Sequence, residues 1–495
     1  MQVAKEQVAL ADLPHLLNDA IGKDGKERLG HFTSIDGSQL ITLLLHPQKG
    51  TVRVLETALD SNSYPCLTNT FPQLHWFERL IFDMFGIVPS GHPRFKHLNL
   101  HEQYPENFYP LRKASLPEGF KPPIGRAFKF LEVKGEGVYE LPVGPIHAGI
   151  IEPGHFRFSC YGETIVNLEV RLGFVHRGVE KRLCEVPFAK AHFVAEAAAS
   201  DTSAANALAH CEAIESVMGI EVSERDRYLR TIALEIERLA CHIIDVGGMG
   251  TDIGLLGISA TMGRLRGRAL GLGDLITGSR FLRGFILPGG VRPVAKESLA
   301  QFKGQIARLR HELKEPLQMF LDNQMGLERM RDIGVLPRSL CNDFGMVGVA
   351  CRATGIEYDT RRHFAHGAYP ELAPPAMTAK GGDILAREMV RIKEIWSSLD
   401  TLDRLIDNLP DGPDSIKIPD KLPPDQIGIG IVEAFRGELI HMIVTDSNGQ
   451  ITRYAIKDPS FNNWTAIAIA IRNNLIADFP LCNKSLALSY SGSDL

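Results

Sequence analysis

Closely spaced cysteines are absent from this sequence. Its 495 residues include eight cysteines, but no C-x-x-C or C-x-x-x-C pair occurs. Zinc ribbons and iron–sulfur clusters are usually held by such pairs, so we expect the chain alone to hold neither. A chain of this length needs no disulfides, and we expect reduced thiols, as in a cytosolic protein. The cysteines are Cys66, Cys160, Cys184, Cys211, Cys241, Cys341, Cys351 and Cys482.

Several other signals are missing. No apolar run reaches the roughly 18 residues that span a bilayer, and the first residues lack the apolar core of a secretory signal. No G-x-G-x-x-G enters a helix after a strand and no Walker-type loop occurs, so direct nucleotide binding has no support. The net charge of −5, without a basic stripe, gives no sign of a nucleic-acid partner.

The composition that is present is that of a globular protein. Hydrophobic residues make up 44% of the chain and charged residues 23%, and the length predicts two or three domains. We place an N-terminal α+β domain at residues 1–112, a linker rich in Pro and Lys at 113–137 and a larger domain at 138–495. The first domain mixes strand-like runs such as QLITLLLH and TVRVLETAL with a helix-like QLHWFERLIFDMFG.

Long helices dominate the larger domain. In SERDRYLRTIALEIERLACHIIDVGG the apolar residues recur at steps of three and four, with Ser223 as N-cap and Gly247–Gly248 as a natural stop. Strand-like segments occupy 138–185 and return after Pro424, with a hairpin turn at Asn448–Gly449. The predicted fold class is α+β, an N-terminal α+β domain followed by a helical bundle with small sheets at both ends. The other helical segments are AEAAASDTSAANALAHCEAIESVMG, ESLAQFKGQIARLRHELKEPLQMFLDN and KGGDILAREMVRIKEIWSSLDTLDRLIDNL.

The last stretch, NLIADFPLCNKSLALSYSGSDL, allows two interpretations. Terminal residues are usually frayed, which favours a disordered tail. The alternating apolar positions of NLIADFPLCNKSLALSY instead favour a strand, in which case the tail is packed.

Two charged clusters lie where helices begin or end. LGFVHRGVEKRL contains His176, Arg177, Glu180 and Lys181, which a solvated helix start would also explain, because an acid is favoured there. In EIERLACHIIDVGGMGTDIG three polar residues share one helical stripe, and Asp252 follows in a Gly-rich turn. A surface ion pair and a core histidine would explain this stripe without a site. The stripe consists of Glu235, Arg238 and His242.

Two further clusters point to chemistry more directly. CRATGIEYDTRRHFAHGAY holds three arginines within eleven residues, a density that suits an anionic or redox-active group. VGPIHAGIIEPGHFRF presents His147 and His155 on glycine-supported turns before a strand, where histidines that titrate near neutrality suit proton delivery. A plain hairpin loop is the alternative there. The arginine-rich cluster comprises Arg352, Asp359, Arg361, Arg362 and His363.

Taken in order, these stretches resemble one family. GPIH…GHFRF, RLGFVHRGVEK, LEIERLACHI, GSRFLRGFILPGGVRP and CRATGIEYDTRR are similar to the large subunit of energy-converting nickel–iron hydrogenases and to its relative, the quinone-site subunit of respiratory complex I. HWFERLIFDMFGIVPSGHPRFKHL, followed by YPLRK, resembles the accessory subunit of the complex I peripheral arm. The chain therefore resembles both subunits fused, as in formate hydrogenlyase, in a form related to hydrogenases that lacks the metal-binding cysteines.

The resemblance locates a lost metal site. A nickel–iron large subunit holds nickel through two C-x-x-C pairs, because soft thiolates bind nickel and bridge it to iron. Here the C-terminal pair falls on Ser489 and Gly492, and the N-terminal pair falls on Ala199 and Thr202. All four thiolates are missing, so we expect no nickel–iron site.

The resemblance also implies residues of a quinone site. Against the complex I subunit, Arg177 and Glu180 match its His-Arg-Gly-x-Glu-Lys motif, Asp252 matches the quinone-site aspartate, and His155 is the counterpart of its histidine. These four are the implied catalytic residues. Ser200 replaces the tyrosine that donates to the quinone, and the loop before His155 is longer than in the family, which puts ubiquinone itself in question. The implied cofactor-binding residues are Arg352, Asn206, Ser200, His242 and Glu235.

The implied function is that of a subunit of a membrane-associated redox complex like NADH:quinone oxidoreductase, on the cytoplasmic side of the cell inner membrane. The expected partners are an iron–sulfur small subunit, a ferredoxin-like iron–sulfur subunit, and antiporter-like and anchor membrane subunits. A quinone or other carrier would be reduced in a cavity beside the partner's cluster, coupled to ion translocation, with Glu180 and Glu235 as proton relays. No cofactor is expected on this chain alone. The alternatives are a non-catalytic scaffold that links the two arms and a hydrogenase with an atypical ligand set.

Overall fold

The computed structural model describes residues 2–23, 25–102, 104–112, 119–121, 128–147, 151–364, 366–412 and 415–495. The described elements form an N-terminal sheet with helices, then a helical body with small sheets before and after it. This arrangement confirms the predicted α+β class. Part of the predicted linker at 113–137 lies outside the described residues, and the domain boundaries stay a prediction.

The N-terminal unit is built on a four-stranded sheet. Its elements are β1 Gln2–Gln7, α1 Leu13–Ile21, β2 Arg28–Ser34, β3 Gln39–His46, β4 Thr51–Ala58, β5 Ser63–Pro65, a 3-10 turn Pro72–Leu74, α2 His75–Phe85 and β6 Val88–Ser90. The strand order is β1-β4-β3-β2, with β1 parallel to β4 and the other pairs antiparallel. The run QLITLLLH forms β3 and is buried on both faces, because helices cover one face and the C-terminal sheet covers the other.

A buried aspartate fixes the segment after α2. Asp83 Oδ2 accepts hydrogen bonds from the backbone amides of residues 98–100 at 2.8, 2.8 and 3.0 Å, and its Oδ1 lies 2.8 Å from His97 Nδ1. The helix ends at Gly86, whose φ of +70° favours glycine. The motif that resembles the accessory subunit therefore shapes this loop.

A three-stranded antiparallel sheet leads into the helical body. The order is β7-β8-β9, and the described part of the loop between β7 and β8 carries His147. The hairpin that was the plain alternative for this region is present. These elements are β7 Val138–Val143, β8 His155–Tyr161, β9 Thr164–Arg171 and α3 Val179–Glu185.

The helical body contains the long helices that periodicity predicts, with two errors. The predicted helix AEAAASDTSAANALAHCEAIESVMG is broken at residues 197–202, between Ala191–Glu196 and Ser203–Met218, and α6, Glu224–Asp252, is longer than predicted. Ser223 caps α6 as predicted, since its side chain accepts from the Asp226 amide. The predicted stop at Gly247–Gly248 is wrong, because α6 continues to Asp252. A Cβ on Gly247 would lie 2.8 Å from the Met262 Cβ, so this glycine lets α7 approach α6 closely. The elements are the 3-10 turn Phe188–Lys190, α4 Ala191–Glu196, α5 Ser203–Met218, α6 Glu224–Asp252, α7 Leu256–Thr277, β10 Ile286–Leu287, β11 Gly290–Val291, α8 Lys296–Asp322, α9 Gln324–Glu328, α10 Arg338–Asp343, α11 Gly348–Arg352, α12 Thr360–His363, α13 Tyr369–Leu372 and α14 Ile384–Asp407.

The C-terminal sheet packs between α5 and the N-terminal sheet. It consists of β12 Ile427–Ala434, β13 Gly437–Thr445 and β14 Ile451–Lys457, all antiparallel, and the predicted hairpin at Asn448–Gly449 is confirmed. A Cβ on Gly428 or Gly430 would lie 2.3 or 2.0 Å from a carbonyl oxygen of α5. Glycine at these two positions therefore allows the helix to lie directly on the strand.

The last segment is helical rather than a strand. It forms α15 Pro459–Ala470, a 3-10 turn Ile476–Asp478, α16 Phe479–Leu486 and α17 Tyr490–Asp494, so the strand prediction was wrong. Pro480 stands in the first turn of α16, where proline suits a helix start. The tail is nevertheless packed, since Tyr490, Asp494 and Leu495 are all buried.

None of the helices in the described ranges is both long enough and apolar enough to cross a membrane.

Candidate functional site

The two segments that we predict to correspond to the metal-binding pairs lie side by side. Residues 197–202 form the break between α4 and α5, and Ser489 caps α17, which contains Gly492. Arg177 joins the two segments: its guanidinium donates to the carbonyls of Ala197 and Ala198 at 2.7 and 2.6 Å and to that of Ser491 at 3.3 Å. This predicted catalytic residue therefore holds together the backbone of the site.

A second arginine crosses the same gap. Arg436, in the turn between β12 and β13, donates to both carboxylate oxygens of Asp201 at 2.8 and 2.6 Å, and its Nε donates to the Ala487 carbonyl. Burial opposes ionisation of Asp201, but the Arg436 guanidinium outweighs it and lowers the pKa of that carboxyl. The charges of Arg436 and Asp201 therefore neutralise each other where the two segments meet.

The residues present do not fit a nickel–iron group. Ser489 Oγ accepts from the Gly492 amide at 2.9 Å, and Thr202 Oγ1 lies 3.4 Å from the Ala199 carbonyl. A Cβ on Gly492 would lie 2.4 Å from Asp458 Oδ2, so a cysteine at that position would have to displace a buried carboxyl. The donor set is hydroxyl, carboxyl and backbone oxygen, which nickel–iron chemistry does not use.

No His, Cys, Asp or Glu cluster in the described ranges could hold a metal ion.

Asn206 begins a buried polar chain. Its amide donates to the Thr202 carbonyl at 2.8 Å, and its Oδ1 lies 3.0 Å from His441 Nε2. Tyr454 Oη then lies 2.8 Å from both His441 Nδ1 and His210 Nδ1. Burial lowers the pKa of both histidines, so this series of hydrogen-bonded side chains is uncharged at neutral pH.

A second network of charges lies in the core among α6, α11, α12, α14 and β12. Arg352 donates to Glu433 at 2.7 Å and to Glu394 at 2.6 Å, and Glu394 also lies 2.7 Å from His242 Nε2. Burial raises the pKa of Glu394, but Arg352 and His242 outweigh it and hold that pKa well below its usual range. Three cationic and four anionic side chains, with one histidine, make up this core network: Arg238, Arg352, Arg361, Glu235, Asp359, Glu394, Glu433 and His242.

The alternative of a surface ion pair on α6 is therefore wrong. Glu235 and Arg238 are buried, with 0% and 1% exposure, and Glu235 accepts from the Tyr369 hydroxyl. The core-histidine alternative holds for His242, which is fully buried. Of the other predicted cluster members, Arg361 is buried against Asp359 at 2.6 Å, whereas Arg362 is exposed.

Glu180 joins the two halves of the chain. Its carboxylate accepts from Arg453 at 2.8 Å and from the Ile456 amide at 2.8 Å. Arg453 also donates to the Ser34 carbonyl of β2 at 3.0 Å and to Thr33 Oγ1 at 2.9 Å. The alternative of a solvated helix start is wrong for Glu180, which is 8% exposed.

His155 and Asp252 have separate partners. His155 Nδ1 lies 3.2 Å from the Gly144 carbonyl, and its Nε2 accepts from Arg157 at 3.4 Å. Burial lowers the pKa of His155, which leaves it neutral near pH 7. Asp252 Oδ1 instead binds Lys484 at 2.6 Å, while its buried Oδ2 has no hydrogen-bond partner in the described part of the chain.

Sequence reasoning missed Asp201, Arg436, Asp458 and His441. Asp201 could have been noticed, since it is an acid within a run of Ala, Ser and Thr between the two positions of the lost cysteine pair. Arg436 gives a weaker signal, an arginine followed by glycine between two strand-like runs. Its pairing with a residue 235 positions away follows only from the tertiary structure.

The sequence matches two families and several known proteins. Residues 252–430 and 418–494 match the family described as respiratory-chain NADH dehydrogenase, 49 Kd subunit, and residues 7–121 match that of the 30 Kd subunit. Formate hydrogenlyase subunit 5 of Escherichia coli (strain K12) is 31% identical over 97% of this chain and 84% of its own length. The C/D subunit of NADH-quinone oxidoreductase from Phocaeicola vulgatus is 30% identical over 81% of this chain and 80% of its own length.

A chain of a solved structure is also similar to this one. The membrane-bound sulfane sulfur reductase, an archaeal respiratory membrane complex, contains a chain with a TM-score of 0.69 and 27% identity. The match covers 73% of this chain and 99% of that one.

The fold, the collinear motifs and these matches define a hydrogenase-like large subunit fused to a complex I accessory domain. The chain belongs to the family of complex I 49 kDa and 30 kDa subunits, in fused form, together with the large subunits of energy-converting hydrogenases. It is accordingly a subunit of a membrane-associated respiratory oxidoreductase complex.

Proposed function

We propose that this chain forms a cavity beside a partner's terminal iron–sulfur cluster, in which a carrier other than the proton is reduced. The observation that supports this most is the pairing of Arg436 with Asp201, together with the oxygen and backbone groups that replace a thiolate donor set. Hydrogen chemistry at nickel and iron needs soft sulfur ligands. One relative is named for quinone and another for sulfane sulfur, and the carrier here is a quinone or another small molecule.

The proposed context is a complex with two arms. The partners are an iron–sulfur small subunit, a ferredoxin-like iron–sulfur subunit, and antiporter-like and anchor subunits in the membrane. The chain lies peripherally on the cytoplasmic side of the inner membrane. Electron transfer in the cavity drives ion movement in the membrane arm.

Affinity isolation tests this context. The chain is tagged, membranes are gently solubilised, and the recovered proteins are identified by mass spectrometry. Iron–sulfur and antiporter-like subunits should be recovered in constant ratio to the chain. Recovery of the chain alone, away from membranes, would contradict the proposal.

A non-catalytic scaffold is the second candidate, because most of the charged groups assigned to chemistry are already engaged within the chain. Arg177 binds backbone carbonyls, and Arg352 lies within the core network. A variant at Asp252 distinguishes a redox site from a scaffold. One oxygen of this carboxyl has no hydrogen-bond partner among the described residues, so it is free to contact a substrate. In the intact complex, Asp252→Asn should slow electron transfer without loss of subunits, whereas Asp274→Asn, an exposed control on α7, should not. Unchanged electron transfer in Asp252→Asn would favour the scaffold.

A further inference from the structure

A cavity of about 230 Å³ opens next to the segment that has lost its cysteines. It lies between α6, α7, the loop that follows α7 and residues 200–201. Its volume is below the roughly 300–1,000 Å³ of pockets for drug-sized ligands, so it suits a small molecule. The polar groups that line it are Ser200, Asp201, Glu237, Arg266, Arg280 and Arg283.

The arginines of this cavity interact with acids only at longer range, Arg266 with Asp201 and Arg283 with Glu196. In the described part of the chain, Arg266, Arg280 and Arg283 form no ion pair, and the buried Arg266 Nε has no hydrogen-bond partner. Unpaired guanidinium groups that face one cavity attract an anion, and each can donate a charge-assisted hydrogen bond.

The two acids of the cavity do not cancel this charge. Asp201 is neutralised by Arg436, which binds both of its carboxylate oxygens. Glu237 accepts from the amides of Ala204 and Ala205 at 2.7 and 3.1 Å. Burial raises the pKa of Glu237 to about 8, so it is largely uncharged at pH 7. The cavity therefore carries a net positive charge.

We propose that this cavity binds a small anion with one or two negative charges through Arg266, Arg280 and Arg283. The chemical class is a compact oxyanion or sulfur anion rather than a neutral quinone ring. The assignment of this anion as the electron acceptor rests on the proposed function, whereas its binding does not.

Direct binding to the isolated complex tests the site, with thiosulfate as the probe. Calorimetric titration at constant ionic strength, with chloride as the reference anion, should show saturable binding. Arg266→Gln should weaken the affinity by roughly tenfold or more, because a charge-assisted hydrogen bond is lost. Arg266→Lys should retain part of it, since the charge remains.

The matched control lies two residues earlier on the same helix. Arg264 is exposed and pairs with Glu312 at 2.7 Å, outside the cavity, so Arg264→Gln should bind thiosulfate like the unaltered complex. The iron–sulfur partner is quantified in each preparation. The proposal is overturned if thiosulfate does not bind, if Arg266→Gln binds it equally well, or if that variant only loses the partner subunit.

Separate measurements test the anion site and the proposed electron transfer, so one proposal can be wrong while the other holds. Thiosulfate that binds through Arg266 in a complex with no electron transfer to any sulfur compound or quinone would uphold the site and contradict the proposed function.

Discussion

Gly492 has no space for a side chain, and Asp458 is the reason. The Asp458 carboxyl accepts from the Ser460 amide at 2.8 Å as the cap of α15, which fixes its position. Burial raises the pKa of this carboxyl above its usual value, although Arg436 acts in the opposite direction. The position that would carry a thiolate in a hydrogenase is thus filled from the side by a carboxyl oxygen.

Gly492→Ala should lower the free energy of unfolding by about 1–3 kcal/mol, because the new Cβ overlaps Asp458 Oδ2. Thermal unfolding measures this effect. Gly263→Ala is the control, since nothing lies within 4 Å of its added Cβ, and alanine should be neutral or slightly stabilising in that helix. Equal stability of Gly492→Ala and the unaltered protein would show that Asp458 can move aside.

Glu394 has two close partners in the core network, Arg352 and His242. Glu394→Gln should lower the free energy of unfolding by about 3–5 kcal/mol, because Arg352 is left buried without one of its three carboxylates. Glu371→Gln breaks the partly exposed ion pair with Arg227 and should cost less than about 1 kcal/mol. Chemical denaturation of both variants provides the comparison, and similar losses in the two would contradict this account of the network.

Glu237 gives stability a pH dependence. Its pKa rises from 4.5 to about 8 on folding, because it is buried; Asp201 adds to the rise, whereas the Ala204 and Ala205 amides and Arg238 oppose it. Between these values the folded chain holds a proton that the unfolded chain has released, so the free energy of unfolding falls as pH rises from 4.5 to 8. Glu237→Gln should remove the part of this fall that Glu237 causes between pH 4.5 and about 8. If the free energy of unfolding had the same pH dependence in Glu237→Gln and in the unaltered protein, the pKa of Glu237 would not be raised on folding.

At the scale of elements, two adjacent glycines of α6 have different roles. Gly247 faces α7, where a Cβ would lie 2.8 Å from the Met262 Cβ, whereas Gly248 faces open space. Gly247→Ala should therefore destabilise the protein by about 1–3 kcal/mol, and Gly248→Ala should stabilise it by up to about 1 kcal/mol. Thermal unfolding of the two single variants tests this, and a gain in both would mean that the helices can separate without cost.

Most elements of the fold could be predicted from the sequence, and the errors have local causes. The long helices follow from their apolar period, and the Asn448–Gly449 hairpin from its turn residues. The strand prediction near the C-terminus failed because a short apolar alternation does not distinguish a strand from a turn followed by two short helices. The stop at Gly247 failed because glycine also allows close helix packing, which depends on a residue of another helix.

The candidate site was predictable only in part. The motifs identified Arg177 and the segments around Ala199 and Ser489, which the structure brings together. The sequence could not show that Arg436 pairs with Asp201, or that Glu235 and Arg238 are buried, because spacing along a helix does not reveal what lies opposite. The catalytic and cofactor-binding roles assigned to all of the predicted residues, including His155, Asp252 and Asn206, stay predictions.

At the scale of the whole molecule, the two fused units form one continuous core. Residues of β3 and β4 pack against residues of β12 and β13, and Arg453 binds both β2 and Glu180. The accessory unit therefore supports the sheet whose turn carries Arg436. The site that resembles a metal centre is built from three parts of the chain and held by arginines.

The metal content per copy of this chain in the isolated complex shows whether the site holds nickel and iron. We expect iron, from the clusters of partner subunits, and no nickel above background, because positions 199, 202, 489 and 492 carry no thiolate. Inductively coupled plasma mass spectrometry of the complex, normalised to the amount of this chain, gives both values. Nickel in a ratio near one per chain would contradict the account and restore a hydrogenase with an atypical ligand set.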